Sequence, residues 1–169
     1  MLPMVRLLVN YMEQRDAPCG RALPPPRSDA TVRIETPSTG DYLDLYREVG
    51  EPVQWDDRYR MSSDALSAFL QDAATTIFVL SVGGAWVGLC EACLTPPGEA
   101  EITNFGLVPR VQGQKLGPFL LDHALRALWS RPLRRIWLHT DTNDHPNAVK
   151  VYEKAGFRTY DRRWQDFPD

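Results

Sequence analysis

The stretch from Glu101 to Trp164 constrains the fold more than any other part of the chain. EITNFGLV reads as a strand that Pro109 stops, and GPFLLDHALRALWS reads as a helix. Leu116, Leu120, Ala124, Ala127 and Leu128 form its apolar stripe, and Pro118 sits in its first turn, where an amide has no intrahelical partner anyway. LRRIWLHT is a second strand, HPNAVKVYEKAGF a short helix closed by Gly156, and FRTYDRRW a last strand. Two strands joined through a helix must lie parallel, in a right-handed crossover.

The first half supplies antiparallel partners. VRLLVNYM is a strand, DAPCGRALPPPRSDA a stiff polar connection, and ATVRIETP another strand. STGDYLDLYREVG has a serine cap, an apolar face at Tyr42, Leu45, Tyr46 and Val49, and a terminal glycine, which is a helix. SSDALSAFLQDA is a second capped helix, and TTIFVLSVGGAWVGLCEACL a hairpin turning at Gly83 and Gly84. The order β-β-α-α-β-β-β-α-β-α-β predicts the α/β class: a mixed, twisted sheet of about seven strands with helices on both faces.

At 169 residues, the chain fits one domain over 1–169. A net charge of −3 argues against a dedicated nucleic-acid partner, and no run is long and apolar enough to span a bilayer. The opening MLPMVRLLVNYMEQR is interrupted too early by Arg6 and Asn10 for a secretory signal, so the expected location is cytoplasmic. Three cysteines fit that compartment. Cys90 and Cys93 form a CxxC without a second pair, inside a strand, and read as structural residues, so no metal is expected.

The turn PRVQGQKLG lies between strand and helix. The first amides of a helix lack acceptors, and glycines let successive N–H groups face one concavity, an arrangement suited to a phosphate or diphosphate. Arg110 and Lys115 add charge, although a plain tight connection reads the same way. There is no GxxxxGK[ST] and no GxGxxG after an early strand, which excludes a P-loop and a dinucleotide fold.

Taken in order, FGLVP, QGQKLG, PFLLDHAL, IWLHT and AVKVYEKAGF resemble the GNAT superfamily of acyl-CoA-dependent N-acetyltransferases, over about residues 85–160. Within it, the likeness is to small bacterial members carrying HT…DHP. The resemblance implies a sheet splayed between its two central parallel strands, with acetyl-CoA as co-substrate. It also implies transfer of the acetyl group to a primary amine, on a small molecule or peptide, by direct attack in a ternary complex, and the family's habit makes a homodimer an expectation.

Carried over by position, Gln112, Gly113, Gln114, Lys115, Leu116 and Gly117 would cradle the diphosphate. Main-chain groups of Phe105 and Leu107 would pair with the pantetheine arm, and His145 stands where relatives often have a cofactor-contacting asparagine. Tyr152 matches the tyrosine that protonates the leaving thiolate. Lys115 replaces the signature's middle glycine, and Pro118 removes an amide.

For the general base the candidates are Glu101 and Glu91, with a water chain as rival, and His139 could relay a proton. Asn143 and His145 lie in a loop rich in turn formers. Trp55, Asp56, Asp57 and Arg58 fall where the family builds its acceptor pocket, and their acidic and aromatic character suits a cationic amine. The alternative, kept open by Lys115 and Pro118, is a non-catalytic CoA-binding sensor or interaction domain of the same fold.

Overall fold

In the computed structural model, which describes residues 2–169, the first elements are β1 (Met4–Gln14), β2 (Ala30–Glu35), α1 (Thr39–Gly50), α2 (Ser63–Gln71) and β3 (Thr75–Val82). They are followed by β4 (Ala85–Thr95), β5 (Glu99–Leu107), α3 (Leu116–Trp129), β6 (Arg135–Asp141), α4 (Ala148–Lys154) and β7 (Arg158–Pro168). The expected order of elements is the observed one. Short 3-10 turns at Glu51–Val53 and Asp57–Arg60 fill the aperiodic segment before α2.

Local chemistry explains most boundaries. Ser38 Oγ accepts from the Asp41 amide at 3.1 Å and Ser62 Oγ from the Ala65 amide at 3.1 Å, each satisfying an otherwise orphaned donor at a helix start. Gly83 and Gly84 both have positive φ, 59° and 83°, as a two-residue hairpin turn requires. The start of α4 differs from the sequence reading: the helix begins at Ala148 rather than His145. Pro146 disfavours helical geometry at the residue before it, and His145 Nδ1 accepts from the Asn147 amide at 3.1 Å, so His145 to Asn147 form a turn that leads into the helix.

The strands form one sheet in the order β2-β3-β4-β5-β6-β1-β7. Every pairing is antiparallel except β5–β6. β1 lies between β6 and β7, with Val9 opposite Asp141 on one side and Arg163 on the other. The carboxylate of Glu13 ties these strands together, accepting from Arg135 at 2.8 Å, Arg158 at 2.9 Å and Arg15 at 3.3 Å.

Helices cover both faces. A Cβ on Gly106 would strike Val49 of α1 at 2.6 Å, whereas a Cβ on Gly117 of α3 would meet Leu107 Cδ1 at 3.8 Å and Phe105 Cζ at 3.9 Å. Successive β5 residues thus point to α1 and to α3, as strand alternation demands. The core lies where α3 buries Leu116, Leu120, Leu121, Ala124 and Leu125 against the central strands.

Candidate functional site

The parallel pairing of β5 with β6 runs only from Glu99↔Arg135 to Ile102↔Leu138. β5 continues to Leu107 and β6 to Asp141, so the strands part after four pairs. The cause sits on the other side of β5. Glu91 pairs with Asn104 and Ala92 with Ile102, which leaves Thr103 as an extra, bulged residue, and a bulge bends its strand. Thr103 Oγ1 donates to the Glu91 carboxylate, which also accepts from Tyr42 Oη and from the Arg58 guanidinium.

Glu91 is therefore fully buried with both oxygens engaged, and it lines neither cavity of the site. Its expected place at the opening is corrected: strand alternation turns it into the core, where it pins the bulge. Arg58 follows it inward and packs 4.4 Å over the Phe69 ring, its Nε buried without a partner.

The parting exposes one edge of β5. The Val108 amide donates to Val87 O at 2.8 Å, towards β4, so by alternation the main-chain groups of Leu107 and Phe105 face the opening. Gln112 Nε2 donates to the Leu107 carbonyl at 3.3 Å, which agrees with that direction. A backbone edge of this kind can accept an extended ligand as an added strand.

Beside the edge stands the turn 112–117. Gly113 has φ +76° and Lys115 φ +63°, and two left-handed residues so close together curl the chain into a cup. The amides of Gly113, Gln114, Lys115, Leu116 and Gly117 donate to no acceptor among the described residues' turn, cap and side-chain hydrogen bonds. The fold itself does not demand glycine at 117, since a Cβ there would make ordinary contacts. Its absence keeps the cup open above the α3 N-terminus, where the helix dipole favours an anion.

A cavity of about 270 Å³ joins these parts, lined by Phe105, Leu107 and Lys115 on one side and by Asp144, Ala148 and Tyr152 on the other. Gln112, Gly113, Leu116, Gly117 and His145 also line it. Gln114 does not; its side chain turns outward and accepts from Arg27 at 3.3 Å. Tyr152 is 7% exposed, with its ring 5.8 Å from that of Phe105. Burial first, then the charge of Asp144, pushes its phenol well above the usual range, so the hydroxyl keeps its proton.

A second cavity, of about 550 Å³, opens on the other side of the parting and shares Val53, Trp55 and Asp144 with the first. Trp55, Tyr46 and Tyr59 give it an aromatic wall, with Tyr46 centred 5.4 Å from Trp55 and 5.3 Å from Tyr59. Glu51, Asp56, Asp141 and Asp144 give it negative charge, against Arg47 as its one lining Arg or Lys. Trp55 and Asp56 line it, whereas Asp57 and Arg58 do not.

His139 lines the second cavity, with Glu101 Oε1 3.9 Å from its Nε2. Burial raises the Glu101 carboxyl, and the facing His139 opposes the rise. Asn143 also lines this cavity, its amide donating to Asp141 Oδ1 at 2.8 Å. Cys90 and Cys93 are free, one buried and one partly so, and burial raises both thiols.

Asp144, the ionisable residue among the three that line both cavities, has no role assigned to it in the sequence reading. Burial raises its carboxyl although Thr140 Oγ1 and the Asp141 amide, the latter at 2.9 Å, both donate to Oδ2. An aspartate three residues beyond Asp141 in a turn-forming stretch is a local signal of such a cap, but not of its place between two cavities.

The sheet thus parts beside an open cup of amides, with a cavity on each side of the parting. The chain belongs to the acetyltransferase (GNAT) family, which it matches over residues 40–157. In fold it is similar to a GCN5-related N-acetyltransferase from Sphaerobacter thermophilus, at 19% identity and TM-score 0.70, over 95% of this chain and 51% of that one. It is similar also to an aminoglycoside acetyltransferase from an uncultured soil metagenomic sample, in complex with sisomicin, at 14% identity and TM-score 0.64, over 75% and 87% of the two chains. An IAA acetyltransferase from Bacillus cereus is similar at 20% identity and TM-score 0.60, over 78% and 79%. The chain spans about half the length of the Sphaerobacter protein and 60% of a GCN5-related N-acetyltransferase from Kribbella flavida. No curated protein matches it in sequence. Among the described residues, no helix is long and apolar enough to cross a membrane.

Proposed function

We propose that this chain is a single-domain N-acetyltransferase that moves an acetyl group from acetyl-CoA to a primary amine within a ternary complex. The observation that carries the reading is the run of unpartnered amides from Gly113 to Gly117, continuous through one cavity with the free edge of β5. The residues fit the co-substrate: the cup suits a diphosphate, Phe105 and Leu107 offer main-chain groups to a pantetheine arm, and Tyr152 stands at the far end. Acetyl-CoA supplies an activated acyl carbon and a thiolate leaving group.

The chain's own residues do the rest. Tyr152, held protonated by burial, donates a hydrogen bond to the departing sulfur. An attacking amine must first lose its proton; His139 takes it in the second cavity and Glu101 behind it receives it. Glu91 acts at a distance, holding the Thr103 bulge that keeps β5 away from β6. The acidic, aromatic second cavity favours a cationic acceptor, recruited as the ammonium and deprotonated at the parting.

Thiol release from acetyl-CoA over a panel of mono- and polyamines tests the reading. Turnover with cationic amines is the expected result. Tight acetyl-CoA binding without turnover for any amine replaces it with the sensor reading.

A further inference from the structure

Val53, Trp55 and Asp144 line both cavities, and Trp55 brings by far the largest side chain to the wall between them. Trp55 is half-buried, and two missing side chains make room for it. At Gly50, the last residue of α1, a Cβ would stand 2.6 Å from Cε3 and 2.7 Å from Cβ of Trp55. At Gly106 of β5 a Cβ would lie 3.6 Å from Cη2, at the far end of the same indole. The ring thus spans from the end of α1 to the length of β5 that has left β6.

Its position is fixed from several sides. Gln54, at φ +62°, turns the chain back, and the Trp55 amide donates to the Gly50 carbonyl at 3.0 Å. The Tyr46 ring, 5.4 Å away between centroids, backs the indole from α1. A ring seated in this way excludes volume rather than yielding it.

Gly106 lies between Phe105 and Leu107, whose main-chain groups face the opening. Strand alternation sets Phe105, with Tyr152 against it, on one face of β5 and the indole on the other. A thioester laid along the free edge with its sulfur beside Tyr152 therefore has Trp55 across the strand, over its acyl group. Val49 and Val53 line the first cavity beside the indole, so an acyl chain meets only apolar side chains there and is judged by its size.

We propose that Trp55 sets the acyl-chain length of the donor: the indole closes the first cavity just beyond a two-carbon acyl group and keeps longer chains out of the second cavity, where the amine enters. The inference rests on the reading of the chain as an acyl-CoA-dependent transferase. It gives the choice of donor to a residue in the segment where the sequence pattern put acceptor recognition.

Calorimetry with acetyl-CoA, butyryl-CoA and hexanoyl-CoA tests it without any acceptor. The native protein is expected to bind acetyl-CoA about tenfold more tightly than butyryl-CoA. Trp55→Ala should reverse that order, because each further methylene then gains burial, about fourfold in affinity. Trp55→Phe keeps a ring against Tyr46 with a shorter reach, and should admit butyryl-CoA while still disfavouring hexanoyl-CoA. Equal native affinity for acetyl-CoA and butyryl-CoA overturns this inference alone, as do native ratios retained in both variants or all three ligands weakened alike. Absence of binding by all three to the native protein overturns the proposed function as well. Length-dependent binding without thiol release to any amine of the panel upholds the role of Trp55 and overturns the transferase reading.

Discussion

The ring of Tyr152 lies 5.8 Å from that of Phe105, centroid to centroid, so α4 and β5 touch at the point where β5 has left β6. One ring comes from the helix after the crossover and the other from the strand before it. The contact places a protonated phenol beside the free edge of β5.

Tyr152→Phe should therefore lower turnover by about a hundredfold while leaving acetyl-CoA affinity and melting temperature nearly unchanged. Among the described residues the hydroxyl makes no hydrogen bond that its removal would orphan. Steady-state kinetics with calorimetry checks the split; undiminished turnover at every pH would remove Tyr152 from the reaction.

Lys115 sits at φ +63°, a conformation that costs a side-chain-bearing residue about 1 kcal/mol. Lys115→Gly should raise the melting temperature slightly, the relief being partly offset by glycine's entropy in the unfolded chain. It should also weaken acetyl-CoA binding severalfold, since an ammonium at the cup is lost. Opposite movement of stability and affinity is the signature; a fall in both would show that the lysine supports the fold.

Glu91→Ala should unfold the protein more easily rather than merely silence it. Removal of the carboxylate leaves the Arg58 guanidinium, 16% exposed, without its partner, a loss of about 3–5 kcal/mol. Urea denaturation measures this. A stable, inactive variant would instead restore Glu91 as a proton acceptor.

The Glu101 carboxyl is raised above its ordinary 4.5 by burial, with His139 acting against the rise. If it receives the amine's proton, kcat/KM falls as pH drops through that raised value, because the protonated acid accepts nothing more. Glu101→Gln should abolish this acid limb and lower the plateau. A limb that survives the substitution assigns the titration elsewhere.

Burial alone would raise the Glu13 carboxyl, but hydrogen bonds from Arg135, Arg15 and Arg158 outweigh it and hold the group down at about 2. The folded state thus binds fewer protons than the unfolded one between about pH 4.5 and 2. The stabilisation is complete above that window and is lost as pH falls through it, to a total of about 3 kcal/mol. Glu13→Gln should flatten this part of the stability curve measured by denaturant titration.

Much of this was legible along the chain because it is local. Ser38 and Ser62 cap helices through bonds to residues three positions on, Gly83 and Gly84 turn a hairpin, and a strand–helix–strand run permits only a parallel crossover. The cup was legible for the same reason: glycines and a helix start lie within six consecutive residues, Gln112 to Gly117. The position of Lys115 at a left-handed angle follows from its standing where a glycine would.

What the tertiary structure alone decided depends on residues far apart in the chain. The insertion of β1 between β6 and β7 rests on Val9 meeting Asp141 and Arg163, a pairing that no local pattern encodes. Alternation says that Glu91 faces one side of its strand, but not that Tyr42, Arg58 and Thr103 wait there to bind it. Asp144 stands between two cavities only because β6 and β5 diverge. Propensity, capping and turn geometry act over a few residues and are written in order along the chain. Burial, charge pairing and cavity shape arise from the packing of distant segments, and become definite only once the sheet has closed around its core.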